Sequence, residues 1–246
     1  QTHQALRRSP RDHDRAWFRL RMPKRVLHDE YFRKAKAEGY LARSAYKLLE
    51  IQQRRAVLSD GQAVLDLGCA PGSWLQVASE LVGPTGLVVG VDLKPVRAAM
   101  PENVISMVGD MTEMAAEDLL APVRQSQEST ALYDAVLSDM APNTSGAGDH
   151  YRSVRLCESI LERLAGVLRP GGALVYKVFE GETYPDLVKR TAAMFTSCRG
   201  LKPRATREVS TEMYVIATGY EPALKHVERP EGVAPPPPKP GGGRGS

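Results

Sequence analysis

The chain is 246 residues long and reads as one α/β domain. A mostly parallel, seven-stranded, Rossmann-like sheet is expected, with helices on both faces and an antiparallel last strand. Three observations predict this. Short, continuously apolar runs alternate with longer stretches of helical periodicity, as strands buried on both faces do. The runs close on Gly or an acidic residue, which suits loops gathered at the carboxyl edge of a parallel sheet. The last two runs are separated by a turn too short for a crossover, so they pair antiparallel. With 42% hydrophobic residues, the chain can bury one sizeable core.

A helix-like stretch, Arg43–Gln53, comes first and could cover the mouth of a pocket. Ala63–Leu67 is the first strand, ending at Gly68 and followed by a helix over Ser73–Val82. Leu87–Val91 ends at Asp92, and Val104–Val108 ends at Gly109-Asp110. A helix over Glu113–Val123 precedes the fourth strand, Tyr133–Leu137. A long amphipathic helix, Asp149–Leu168, stops at Arg169-Pro-Gly-Gly172, a strong terminator. Strand five is Ala173–Phe179, and a helix over Pro185–Phe195 leads to strands near Gly200–Thr206 and Glu212–Thr218.

Charge divides the chain unevenly. Residues 1–55 carry 15 Lys/Arg against 6 Asp/Glu, a net of +9, whereas residues 56–246 carry 18 against 23, a net of −5. A basic leading segment on a mildly acidic body suits a polyanion docked on one face, or a solvated basic arm. The expected organisation is a basic, partly flexible extension over 1–27, a folded domain over 28–220 and a disordered Pro/Gly-rich tail over 221–246. Cys69, Cys157 and Cys198 lack metal-ligand spacing and fit a reducing compartment. No apolar run approaches membrane-spanning length, so a soluble intracellular protein with no membrane partner is expected. The chain begins at Gln1, which leaves a removed Arg-rich organelle presequence open; the location is then the cytoplasm or the mitochondrial matrix.

Ligands of such sheets bind beyond the carboxyl ends of the strands. Gly68-Cys-Ala-Pro-Gly72 follows the first strand with spacing G-x-x-x-G, so a pyrophosphate-binding turn is disfavoured; no Walker lysine follows, which disfavours a triphosphate. Asp92, twenty residues after Gly72, is placed to accept from ribose hydroxyls, and Asp110 from an exocyclic adenine amine. Trp74 either packs near a ligand or holds its helix to the sheet. A ribose and adenine without phosphates, as in S-adenosylmethionine, fit this set best.

Lys177 closes an apolar strand where another apolar residue would be usual. Desolvation disfavours an ammonium, so a lysine buried beside such a pocket suits a proton acceptor. Asp139 lies just past strand four on the same edge. Glu212 opens the last strand, and only an antiparallel strand brings that start to this edge. Lys47 belongs to the leading helix-like segment, and taken alone reads as a solvent-facing lysine.

Five stretches carry a family resemblance: Gly39 to Gln52, Asp66 to Trp74, Ser138 to Gly146, Val175 to Glu182 and Thr211 to Gly219. Over about residues 28–220 the chain resembles the FtsJ/RrmJ (RlmE-type) ribosomal RNA 2′-O-methyltransferases. That resemblance implies a class I S-adenosylmethionine-dependent methyltransferase fold and a catalytic tetrad on Lys47, Asp139, Lys177 and Glu212. It implies cofactor contacts at Gly68, Gly72, Trp74, Asp92, Asp110 and Asp139. It also implies a monomer acting on a uridine in the A-loop of large-subunit ribosomal RNA, free or in the assembled subunit. Ser73 stands where many members of the family have glycine. Within the tetrad Lys177 is expected as general base, with Asp139 orienting it and Glu212 and Lys47 aligning the ribose.

Basic residues of 11–55, among them Arg33, Lys34, Lys36, Arg54 and Arg55, interleave with Trp17, Phe18, Tyr31, Phe32, Tyr40 and Tyr46. Arg33, Lys34 and Lys36 are expected to face phosphate or water, and Phe32 and Tyr46 to pack on the sheet. The alternatives are 2′-O-methylation of transfer RNA or cap ribose, a non-catalytic RNA-binding module and a dinucleotide oxidoreductase.

Overall fold

A computed structural model describes residues 30–126, 131–142, 148–206 and 210–222. The basic extension over 1–27, nearly all of the tail and residues 143–147, which include the end of the stretch from Ser138 to Gly146, lie outside the described residues. In chain order the elements are α1 (Glu30–Glu38), α2 (Ala45–Arg55), β1 (Ala63–Leu67), α3 (Ser73–Val82), β2 (Leu87–Asp92), β3 (Val104–Val108) and α4 (Ala116–Ser126). They continue with β4 (Tyr133–Ser138), α5 (Asp149–Val167), β5 (Leu168–Phe179), α6 (Tyr184–Ala192), β6 (Phe195–Leu201) and β7 (Glu212–Tyr220).

The strands form one sheet in the order β3-β2-β1-β4-β5-β7-β6. β1 to β5 pair in parallel, and β7 runs antiparallel to both β5 and β6. The order reverses between β1 and β4, so a crevice opens at their carboxyl ends, where the motif loops gather.

Side-chain parity divides the core between the two sheet faces. Leu65 and Leu67 of β1, with Tyr176 and Val178 of β5, pack against α4, α5 and α6. Val64, Leu137, Val175, Tyr214 and Ile216 pack against α2 and α3. By the same alternation Asp66, Lys177 and Glu212 belong to the α2/α3 face. One helix layer thus covers these three polar residues of the crevice.

Several boundaries differ from the sequence expectation. α4 begins at Ala116, because the N–H groups of Glu113 and Met114 both bond Asp110 O and close a turn ahead of the helix. β5 begins at Leu168, which pairs with Tyr133 before Arg169–Gly172 loop out and pairing resumes at Ala173. β6 is Phe195–Leu201 rather than 200–206, and α6 stops at Ala192. Phe195 is buried against Tyr220, ring centroids 5.2 Å apart, whereas Pro203 beyond the strand has no N–H for a ladder. The helix α1, which the sequence reading did not single out, packs Ala35 with Tyr46 and Ala205. No helix among the described residues is long and apolar enough to cross a membrane.

Candidate functional site

Two lysine–carboxylate pairs occupy the carboxyl edge. Lys177 Nζ donates to the backbone oxygen of Asp139 at 2.5 Å and lies 3.1 Å from its Oδ1. Lys47 Nζ donates to Glu212 Oε2 at 2.8 Å. Both lysines are buried, Lys47 at 5% and Lys177 at 7% exposure, so the solvent-facing expectation for Lys47 is corrected. Its ammonium is turned inward because α2 lies on the face that Glu212 shares. The antiparallel register sets Glu212 opposite Phe179 and Tyr214 opposite Lys177, so the start of β7 lies beside the end of β5.

Tyr214 joins the pairs. Its hydroxyl donates to Asp139 Oδ1 at 2.5 Å, while its ring centroid lies 5.4 Å from Lys47 Nζ. Burial first, and the Asp139 carboxylate second, hold the phenol protonated well beyond its ordinary range. Nothing in the local sequence of β7 marks this tyrosine; its role depends on register with β5.

At Gly68 and Gly72, the cofactor contacts that the resemblance implies, the fold itself also requires glycine. Each has positive φ, +79° and +114°, and the space of the missing side chain is filled by protein. A Cβ on Gly68 would fall 2.2 Å from Met140 Cγ, and one on Gly72 would fall 2.7 Å from Met100 Cε. The first loop is thereby interlocked with the turn carrying Asp139. Gln76 is the first residue of α3 to bond back along the chain, to Gly72 O, so the opening N–H groups of this helix have no partner within it. Ser73, the departure from the family pattern, shares a 2.7 Å hydrogen bond between its hydroxyl and that of Ser44.

Trp74 takes the packing role. It is buried, its Nε1 donates to Ser44 O at 2.9 Å, and its ring lies 5.9 Å from that of Tyr214. Asp92 braces the first loop, with Oδ2 accepting from Ala70 N at 2.9 Å and Oδ1 from Lys94 N at 2.8 Å. Asp110 Oδ1 accepts from the N–H and hydroxyl of Thr112, and these bonds hold the exposed carboxyl below the usual carboxylate range. Exposed Leu93 and Val108 stand close to these two acids in sequence and offer apolar surface.

Asp66 is a site residue the sequence reading passed over. It is fully buried in β1, and neither carboxyl oxygen has a hydrogen-bond partner. Burial, then Asp139 and Asp92, push its carboxyl well above the ordinary range, so it is held as a neutral acid. A polar residue within the apolar run Ala-Val-Leu-Asp-Leu was the available signal.

On the outer side of α2, Tyr46 packs between Tyr31 and Tyr40 rather than on the sheet, and Phe32 is exposed instead of packed. Arg33 and Lys36 face solvent, while Lys34 Nζ lies 4.8 Å from the Tyr46 ring centroid. Arg204 N donates to Glu50 Oε2 at 2.7 Å, and Arg54 pairs with the same glutamate at 2.6 Å. The exposed Arg204 is thus set beside the basic residues of α2.

Known proteins share both this sequence pattern and this fold. The profile of the FtsJ-like methyltransferases matches residues 40–220. A protein of Desulforapulum autotrophicum named ribosomal RNA large subunit methyltransferase E is 46% identical over 203 residues, covering 82% of this chain and 97% of its own. Its namesake in Syntrophobacter fumaroxidans is 48% identical, covering 78% and 95%. Among solved structures, a Plasmodium falciparum protein described as a ribosomal RNA methyltransferase superposes with a TM-score of 0.64 at 26% identity, covering 74% of this chain and 98% of that one. Aeropyrum pernix fibrillarin, crystallised with S-adenosyl-L-methionine, shares the fold at a TM-score of 0.50 and 16% identity, covering 71% and 76%.

Proposed function

The chain belongs to the FtsJ-like methyltransferase family, and we propose that it methylates a ribose 2′-oxygen of large-subunit ribosomal RNA, at a uridine of the A-loop, using S-adenosylmethionine. The observation that carries this reading is the pair of buried lysine–carboxylate contacts bridged by Tyr214 at the carboxyl edge. Relatives named for the large subunit support the substrate class.

The residues fit the cofactor. The orphaned, fully buried carboxyl of Asp66 lies by the crevice without a protein partner, as a hydrogen bond to a ligand or its bound water would leave it. The opening N–H groups of α3 suit a carboxylate. Asp92 suits ribose hydroxyls, Asp110 an adenine amine, and Leu93 the flat face of a base. When bound, S-adenosylmethionine supplies a methyl group on a sulfonium.

The chain's own residues then have a short task. The 2′-hydroxyl must lie in line with the methyl carbon, and positioning of that kind accounts for much of the acceleration. Lys47 and Glu212 are suited to hold the ribose. Lys177 Nζ, as the neutral amine, accepts the hydroxyl proton as the oxygen attacks, and Asp139, fixed by Tyr214, aims Lys177. The helix layer α2/α3 keeps bulk water from the pair.

The test is transfer to defined RNA. Large subunits from a bacterial strain deleted for its own enzyme of this family should gain one 2′-O-methyluridine in the A-loop on incubation with this protein and cofactor. Methyl groups appearing only on transfer RNA or cap structures would replace the substrate assignment, and no transfer to any RNA would leave the binding-module reading.

A further inference from the structure

At the opposite side of the crevice from the basic face of α1 and α2 stands a pair of aromatic rings that the proposed chemistry does not use. His150 and Tyr151 open α5, with ring centroids 4.0 Å apart and planes tilted by 39°. Tyr151 is 43% exposed, although its hydroxyl donates to Glu182 Oε2 at 2.8 Å. The His150 ring lies on the backbone of Gly181, where an added Cβ would come within 2.6 Å of Cδ2. The two rings are therefore braced, and one of them still shows nearly half its surface.

Their location follows from the hydrogen bonds around them. Ser153, near the start of α5, accepts from Phe179 N at 3.0 Å, and Glu180 N donates to Thr211 O at 2.8 Å. The rings thus stand where the end of β5 meets the start of β7, next to the strand ends that carry Lys177 and Glu212. A carboxylate at the Tyr151 hydroxyl makes this corner unfavourable for phosphate. A neutral, flat group meets no such penalty. Basic side chains on the α1/α2 side and a braced ring on this side suit a single strand whose backbone lies on the first and whose bases turn toward the second.

We propose that Tyr151, braced by His150 and Glu182, stacks an unpaired base of the RNA substrate next to the methylated ribose. This rests on the RNA methyltransferase reading above. Fixing the neighbouring base holds the substrate loop equally before and during transfer, so the contact contributes affinity that is read in KM rather than in kcat.

The probe is a stem-loop RNA of A-loop sequence in which loop nucleotides flanking the target are replaced singly by 2-aminopurine, whose fluorescence falls on stacking. Wild-type protein should quench one flanking position, Tyr151→Ala should abolish that quenching, and Tyr151→Trp should restore it. With large subunits as substrate, Tyr151→Ala should raise KM about tenfold with kcat within about twofold, as expected when one base–aromatic stack is removed. Cofactor affinity and melting temperature should match wild type, which separates a missing platform from a damaged fold. If wild type transfers methyl groups to the subunit while Tyr151→Ala leaves both KM and the quenching pattern unchanged, the stacking assignment is wrong and the enzymatic reading stands. If wild type transfers none to any RNA, the reading beneath it fails and the assignment falls with it.

Discussion

Lys177→Arg separates proton transfer from architecture. Arginine can still donate to Asp139 but is not deprotonated in a protein, so it has no lone pair with which to accept the proton. The variant should fold and bind cofactor, with single-turnover methyl transfer slowed about 10²–10⁴-fold; a rate near wild type removes Lys177 as the base. Alanine is a poorer probe, because it leaves Asp139 without its hydrogen-bond donor. Asp66 gives a stability prediction. Its carboxyl titrates higher in the folded protein than in the unfolded chain, so the folded state binds more protons and wild type loses stability as pH rises from about 4 toward neutrality. Asp66→Asn does not titrate. The difference between its melting temperature and that of wild type should therefore move in favour of the variant between about pH 5 and pH 8 (a flat difference rejects the neutral acid). At this scale Lys177 and Asp139 were legible, since each stands at a strand end. The burial of Lys47 was not, because its partner is 165 positions away.

The elements follow the periodicity closely wherever a strand or helix is bounded by glycine. Ala63–Leu67, Ser73–Val82 and Val104–Val108 match the expected limits. The departures lie where tertiary contacts decide, as at Phe195, which sequence periodicity assigned to the end of a helix and which pairs instead with Tyr220 in the sheet. The end of α2 offers a test of local energetics. Ala56 caps the helix in the left-handed region, φ 47° and ψ 57°, with its N–H bonded to Gln52 O. Glycine adopts that conformation without the Cβ penalty, so Ala56→Gly should stabilise the protein by about 1 kcal/mol. Urea midpoints measure it, and a destabilised variant contradicts the strain.

For the whole molecule, topology made the site legible. An antiparallel β7 brings its first residue to the edge where parallel β4 and β5 end, which allows residues far apart in sequence to meet. The basic face was only half legible, since Arg204 joins it through Glu50 and the packing of Ala205 on α1. Replacing Arg33 and Arg204 with Gln should weaken RNA binding most at low salt. The plot of log affinity against log salt should flatten by about 0.7 for each single-strand phosphate that is no longer neutralised. Unchanged slopes assign the RNA to another surface. Met140 fills the place a side chain would take at Gly68 and directly follows Asp139. The loop after β1 and the turn that carries Asp139 therefore share one volume. For a lineage accumulating substitutions, positions 68 and 140 act as one heritable unit, and bulk gained at either must be surrendered at the other.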